Sequence, residues 1–163
     1  MPPDGPPDGA PDAPPLIDGC PPGYNIDLTG MGFSKYKVLS AMLTWRLGEE
    51  ACEADGVGYT GKTHLATFGD DAERVAIDGE SVPNNAWIGL TDLLNEGTFI
   101  WVNNEPNPAQ SGNPWAGSNP DGGETADCVR LGSSSTYDDR DCTAVQASLC
   151  ECDNKAAMGN RFP

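Results

Sequence analysis

The sequence predicts an α+β domain stapled by disulfides. Three observations carry that expectation: two short segments with helical spacing, a strand-turn-strand unit rich in tryptophan and β-branched residues, and an even set of six cysteines. Residues 44–55 read TWRLGEEACEAD, with Trp45, Gly48 and Cys52 at helical spacing and Thr44 as the N-cap. A second helix is expected from Asp70 to about Ile77, where Asp70 and Asp71 favour the positive N-terminal end. Residues 86–102, AWIGLTDLLNEGTFIWV, hold two apolar runs separated by a polar stretch that ends in Glu96-Gly97, which reads as strand, turn, strand. Roughly 25 residues dominated by Asn, Pro, Gly and Ser come next, a length that a compact domain keeps in a connection when function requires it. Short strands then return around Cys128-Val129-Arg130-Leu131 and Ala147-Ser148-Leu149-Cys150.

Composition bounds the rest. With 163 residues the chain is one domain of ordinary size, and its first 22 residues hold nine of the 15 prolines and no lysine or arginine. The run PPDGPPDGAPDAPP offers almost nothing to bury, so 1–19 are expected to be a disordered, solvated spacer, 20–153 the folded domain and 154–163 a flexible C-terminal tail. A formal charge of -16 repels phosphate and argues against a nucleic-acid partner. It suits a solvated extracellular protein or one that uses divalent cations. No stretch is long and apolar enough to insert directly into a membrane, and Met1 runs into the spacer without a charged and apolar leader.

None of the six cysteines forms a CxxC pair or stands at metal-ligand spacing from His64, the single histidine, so zinc is not expected. Disulfides are, and with them an oxidising compartment, the cell exterior or surface. Spacing alone leaves about 15 pairings open.

WIGL at 87–90, the TD, EG and FIWV that follow, a tryptophan in a long loop (Trp115), DCVRL, YDD-x-x-C and a closing SLCE together resemble the C-type lectin-like domain. Trp45 seven residues before Cys52, and HLATF at 64–68, fit the same pattern. The likeness covers roughly Cys20 to Cys152. It implies two helices beside small antiparallel sheets and a long irregular loop that carries the ligand. It also implies that Cys52 pairs with Cys150 and Cys128 with Cys142, leaving Cys20 and Cys152 for each other.

Two tripeptides lie in or beside that loop, Glu105-Pro106-Asn107 and Asn119-Pro120-Asp121. In the family the sugar-reading tripeptide follows the loop tryptophan, has a cis proline and stands about ten residues before the third core cysteine. That position belongs to Asn119-Pro120-Asp121, and Glu105 is expected in a turn outside the site. The resemblance implies calcium as cofactor, held by Asn119, Asp121, Asp138 and Asp139, the same four residues contacting sugar. A hard cation takes carboxylate and amide oxygens and exchanges water for adjacent sugar hydroxyls. The order amide then acid resembles galactose-type binding. The family usually has a glutamate where this chain has Ala126, and Glu124 or Thr125 is the candidate replacement. A second family calcium site is matched by Asp92, Glu96 and Asp127.

One histidine, held in a strand, serves no Ser-His-Asp arrangement, and adjacent carboxylates on a strand point to opposite faces, so no enzyme is expected. The expected function is a calcium-dependent carbohydrate-binding module with a glycan or glycoprotein partner. A calcium-independent lectin-like domain that binds a protein or other surface is the alternative, and Ala126 favours it.

Overall fold

The computed structural model describes residues 14–106, 114–159 and 162. Two helices pack against one sheet of eight strands: β1 (Ile26–Asp27), β2 (Lys35–Leu43), α1 (Trp45–Asp55), β3 (Lys62–Leu65), α2 (Asp71–Asp78), β4 (Trp87–Thr91), β5 (Ile100–Trp101), β6 (Cys128–Leu131), β7 (Tyr137–Arg140) and β8 (Gln146–Asp153). The sheet runs β1-β2-β8-β4-β6-β7, with β3 joined to β8 and β5 to β4. All pairings are antiparallel except β4 with β8, which meet in parallel at Trp87 and Ser148. That contact joins the terminal and loop-bearing antiparallel ladders into one mixed sheet.

Both helices start where their caps dictate. Thr44 Oγ1 accepts the Leu47 N–H at 3.4 Å, and Asp70 accepts the Glu73 N–H at 2.9 Å. Glu73 in turn reaches back to the Gly69 N–H at 2.8 Å, so donors at the start of α2 are answered from both directions. The buried positions of α1 are Trp45, Gly48, Glu49 and Cys52, one face of a 3.6-residue period. Gly48 is required there, because a Cβ on it would stand 2.5 Å from Ser148 Oγ on β8.

β4 is buried at every position. Its side chains feed two core clusters: Ile88 and Leu90 join Tyr36, Phe68, Trp101, Val129 and Tyr137, while Trp87 joins Trp45, Cys52, Leu65 and Cys150. A strand covered on both faces reads as a continuous apolar run, which is how WIGL reads.

Disulfides join Cys20 to Cys152, Cys52 to Cys150 and Cys128 to Cys142. The first two converge on β8, one from the N-terminal segment and one from α1, and the third closes the β6-β7 hairpin.

Of the expected spacer, residues 1–13 lie outside the described residues, but its last residues are paired: the Ile17 N–H donates to the Gly58 carbonyl at 2.8 Å and the Gly61 N–H to the Gly19 carbonyl at 3.0 Å. The C-terminal segment also docks, with the Met158 N–H on the Val102 carbonyl at 2.8 Å and the Phe162 ring edge-on to Trp45 at 5.5 Å. No described helix is long and apolar enough to cross a membrane.

Candidate functional site

The long loop leaves β5 and returns at β6. At its start Glu105 accepts hydrogen bonds from Thr67 Oγ1 at 2.8 Å and Asn103 Nδ2 at 3.1 Å and pairs with Lys155. These contacts bind it to the body of the domain; Asn107, the end of that tripeptide, lies outside the described residues. Trp115 packs edge-on against Phe99 at 4.8 Å and Tyr137 at 5.7 Å, and its backbone bridges Tyr137. That anchor sets the later tripeptide beside β7. The Asn119-Pro120 peptide is cis.

Around the tripeptide, side chains from β7 meet the loop backbone. Asn119 Nδ2 donates to Asp138 Oδ1 at 2.7 Å. The other oxygen of Asp138 accepts from Arg130 Nε at 3.0 Å and Nη2 at 2.8 Å, and Arg140 Nη2 stands 2.9 Å from it as an ion pair. Asp139, 1% exposed, points the opposite way and accepts the backbone N–H groups of Asp121 and Gly122 at 3.1 and 2.9 Å. The Asp121 carboxylate is exposed and accepts from Ser118 Oγ at 2.9 Å. Glu124 sits exposed on the single turn Gly123–Thr125, and Thr125 Oγ1 donates to the Gly122 carbonyl at 3.0 Å. Asn119, Asp138 and Arg130 are thus brought together, Asp139 serves the turn, and Glu124 joins neither group.

A different trio converges. Asp92, Glu96 and Asp127 each offer a carboxylate oxygen within 4.8 Å of the others. Asp92 follows β4 directly and is 3% exposed; its Oδ2 accepts the Gly97 N–H at 2.8 Å, while its Oδ1 is buried with no hydrogen-bond partner. The Asp127 carbonyl, bonded by the Asp92 N–H at 3.1 Å and Thr91 Oγ1 at 2.6 Å, fixes β6 against the turn after β4. All three carboxyls are held above the usual range. For Asp92 the causes are burial first, then the charges of Asp127 and Asp139; for Glu96 they are desolvation and the charge of Asp92; for Asp127 they are desolvation and the charges of Asp141 and Glu124. No ion pair among the described residues neutralises any of the three. Three hard oxygen donors, unneutralised and with one orphaned buried oxygen, fit a calcium ion.

Sequence reasoning missed Arg130, Arg140 and Gly122. The register of β6 on β7 puts Arg130 directly opposite Asp138, and only that register reveals the pair. A cavity of about 620 Å³ lined by Ser34, Lys35, Asp70, Glu73 and Glu151 lies elsewhere and shares no residue with either group.

Residues 42–152 match the family described as the Lectin C-type domain. Lectin BRA-3 of Megabalanus rosa is 31% identical over 120 residues, 71% of this chain and 69% of that protein. The C-type lectin domain family 4 member F of Mus musculus is 34% identical over 93 residues, 53% of this chain but 16% of that longer protein. Among solved structures, the trimeric Kupffer cell C-type lectin receptor Clec4f is 28% identical, with a TM-score of 0.62 over 74% of this chain and 78% of that one. A calcium-independent type II antifreeze protein, 24% identical, has a TM-score of 0.67 over 84% and 95%, a likeness of fold alone.

Proposed function

Because the chain belongs to the C-type lectin domain family, we propose that it is a glycan-binding module of the cell exterior, with calcium held by Asp92, Glu96 and Asp127 and the glycan met by the loop face that carries Asn119 and Asp121. The observation that carries the calcium assignment is the buried, orphaned Oδ1 of Asp92, on a carboxylate that stands within 4.8 Å of two others. A bound calcium would supply positive charge at the junction of the β4-β5 turn with β6, drawing together three groups that otherwise repel. For the glycan, the loop offers acceptors: the Asn119 amide N–H is directed at Asp138, and the Asp121 carboxylate stands in solvent. Sugar hydroxyls are the donors that such a face needs. The order amide then acid supports galactose-type ligands over mannose-type ones.

The test joins thermal melting to glycan binding. Calcium at about 100 times its Kd should stabilise the native protein by about 2.7 kcal/mol, because it binds the folded acidic group alone. A melt indifferent to millimolar calcium would remove the calcium assignment, and an array with no glycan signal would remove the lectin reading. The second reading, a calcium-independent lectin-like domain for a protein ligand, is favoured by one observation: Asp138 is neutralised by arginine.

A further inference from the structure

The resemblance implies a metal ligand at Asp138, and the surroundings of its carboxylate do not fit one. A carboxylate has about four lone-pair sites. Asp138 accepts three hydrogen bonds, from Asn119 Nδ2 on Oδ1 and from Arg130 Nε and Nη2 on Oδ2, and Arg140 Nη2 adds an ion pair 2.9 Å from Oδ2. The pair is shielded, with 11% of the Asp138 side chain and 15% of the Arg130 side chain exposed. Two guanidinium groups so near would also repel a divalent ion.

The space around it agrees. A Cβ on Gly122 would stand 1.9 Å from the Ala126 Cβ and 3.1 Å from Asp139 Oδ2. The 121–122 turn therefore lies directly against the Ala126 side chain, close enough to exclude any side chain at 122. Asp139, the other expected ligand on β7, is directed to the two N–H groups of that same turn. Every oxygen donor expected on β7 already has nitrogen partners.

We propose that the Arg130-Asp138-Arg140 ion-pair triad takes the place of a metal ion beside Asn119-Pro120-Asp121, so that the tripeptide is held ready for a hydroxyl-bearing ligand with no cation bound next to it. The proposal rests on the reading of this loop face as the ligand face. Arg130 is then a positioning residue: it fixes Asp138, which fixes Asn119 with its amide N–H inward. Arg140, with 45% of its side chain exposed, completes the charge.

The experiment is nitrogen-15 NMR of the whole chain, first in chelator and then through a calcium titration. The Asn119 side-chain amide and the Arg130 Nε–H should be protected from solvent exchange in chelator and unmoved by calcium. In Arg130→Gln, Asn119 side-chain protection should fall about tenfold, the loss of one charge-assisted hydrogen bond, and Arg130→Lys should recover part of it by restoring the charge. Saturable calcium shifts at Asn119 and Arg130, or unchanged Asn119 protection in Arg130→Gln, would overturn the proposal. The Gly97 N–H, bonded to Asp92, reports the acidic trio separately. A Gly97 signal indifferent to calcium counts against the calcium reading alone, while still Asn119 and Arg130 signals support the triad. If Arg130→Gln does not fold, the titration of the parent chain and the more exposed Arg140→Gln decide the matter.

Discussion

Asp92, just after β4, and Asp138, on β7, are both buried aspartates, yet their neighbours are of opposite sign. Asp92 keeps an oxygen without a partner and faces Glu96 and Asp127. Asp138 accepts from Arg130 and an amide and forms an ion pair with Arg140 as well. Both are acidic side chains in acidic stretches of sequence, so counting carboxylates does not separate them. What separates them is whether the cross-strand partner supplies a cation. At 130 it does; the backbone bonded to Asp92 is that of Asp127, which adds another carboxylate.

Removing each aspartate in calcium-free solution should have opposite consequences. Asp138→Ala leaves Arg130 shielded without its carboxylate and should cost about 3–5 kcal/mol. Asp92→Asn relieves repulsion and should leave stability unchanged or slightly raised without calcium, while abolishing the calcium response. Urea unfolding in chelator measures both. Equal destabilisation by the two changes would erase the distinction.

A third way for a protein to answer a buried carboxylate is a proton, and the core supplies two cases. Burial pushes Glu49 and Glu151 up to about 7. Glu151 and Glu105 both lie within 2.9 Å of Thr67 Oγ1, whose single proton serves one of them. Burial alone would lower His64, but contact with Asp153, the charge of Glu151, the Leu65 carbonyl and the charge of Glu49 outweigh it and raise the group to about 9. All three shifts are upward. Their stabilisation is therefore complete below the ordinary values, falls between about 4.5 and 7 for the glutamates, and falls again between about 6.5 and 9 for the histidine. Stability should decline from pH 5 to pH 9 by several kcal/mol, checked by urea midpoints at fixed ionic strength. A rise over that range would show that these groups do not hold their protons in the folded state.

The smallest expected effect belongs to Glu105→Gln. Its partner Lys155 is 54% exposed, and losing such a pair costs less than about 1 kcal/mol. Calcium shifts and glycan-array profiles should match those of the parent. A variant that lost glycan binding would move the ligand face to the start of the loop.

Much of the fold was legible because local chemistry and tertiary packing agree. Thr44 caps the helix it should, Asp70 stands at the start of the second helix as its cap, Trp45 to Cys52 keep helical spacing, and β4 is as apolar as a doubly covered strand must be. β2 was not read as a strand. Its outer half is exposed and its register shifts between Leu39 and Leu43, so KYKVLSAML shows no sustained alternation. The candidate site divides along the same line. Asp92 and Glu96 share a turn, and Asp127 neighbours a landmark cysteine, so their candidacy follows from chain position. The Arg130 contact with Asp138 spans a hairpin, and the collision that keeps position 122 a glycine involves Ala126 and Asp139 in space. Neither is written in any short stretch.

The bond from Cys52 to Cys150 encloses the whole stretch 53–149, and that from Cys20 to Cys152 runs around it as a second ring. A single peptide cleavage anywhere in the long loop therefore yields no free fragment: the two pieces stay covalently joined until a reductant opens both rings. The loop is thus a segment whose backbone can be cut while helix α1 and strand β8, on either side of the cut, stay tethered.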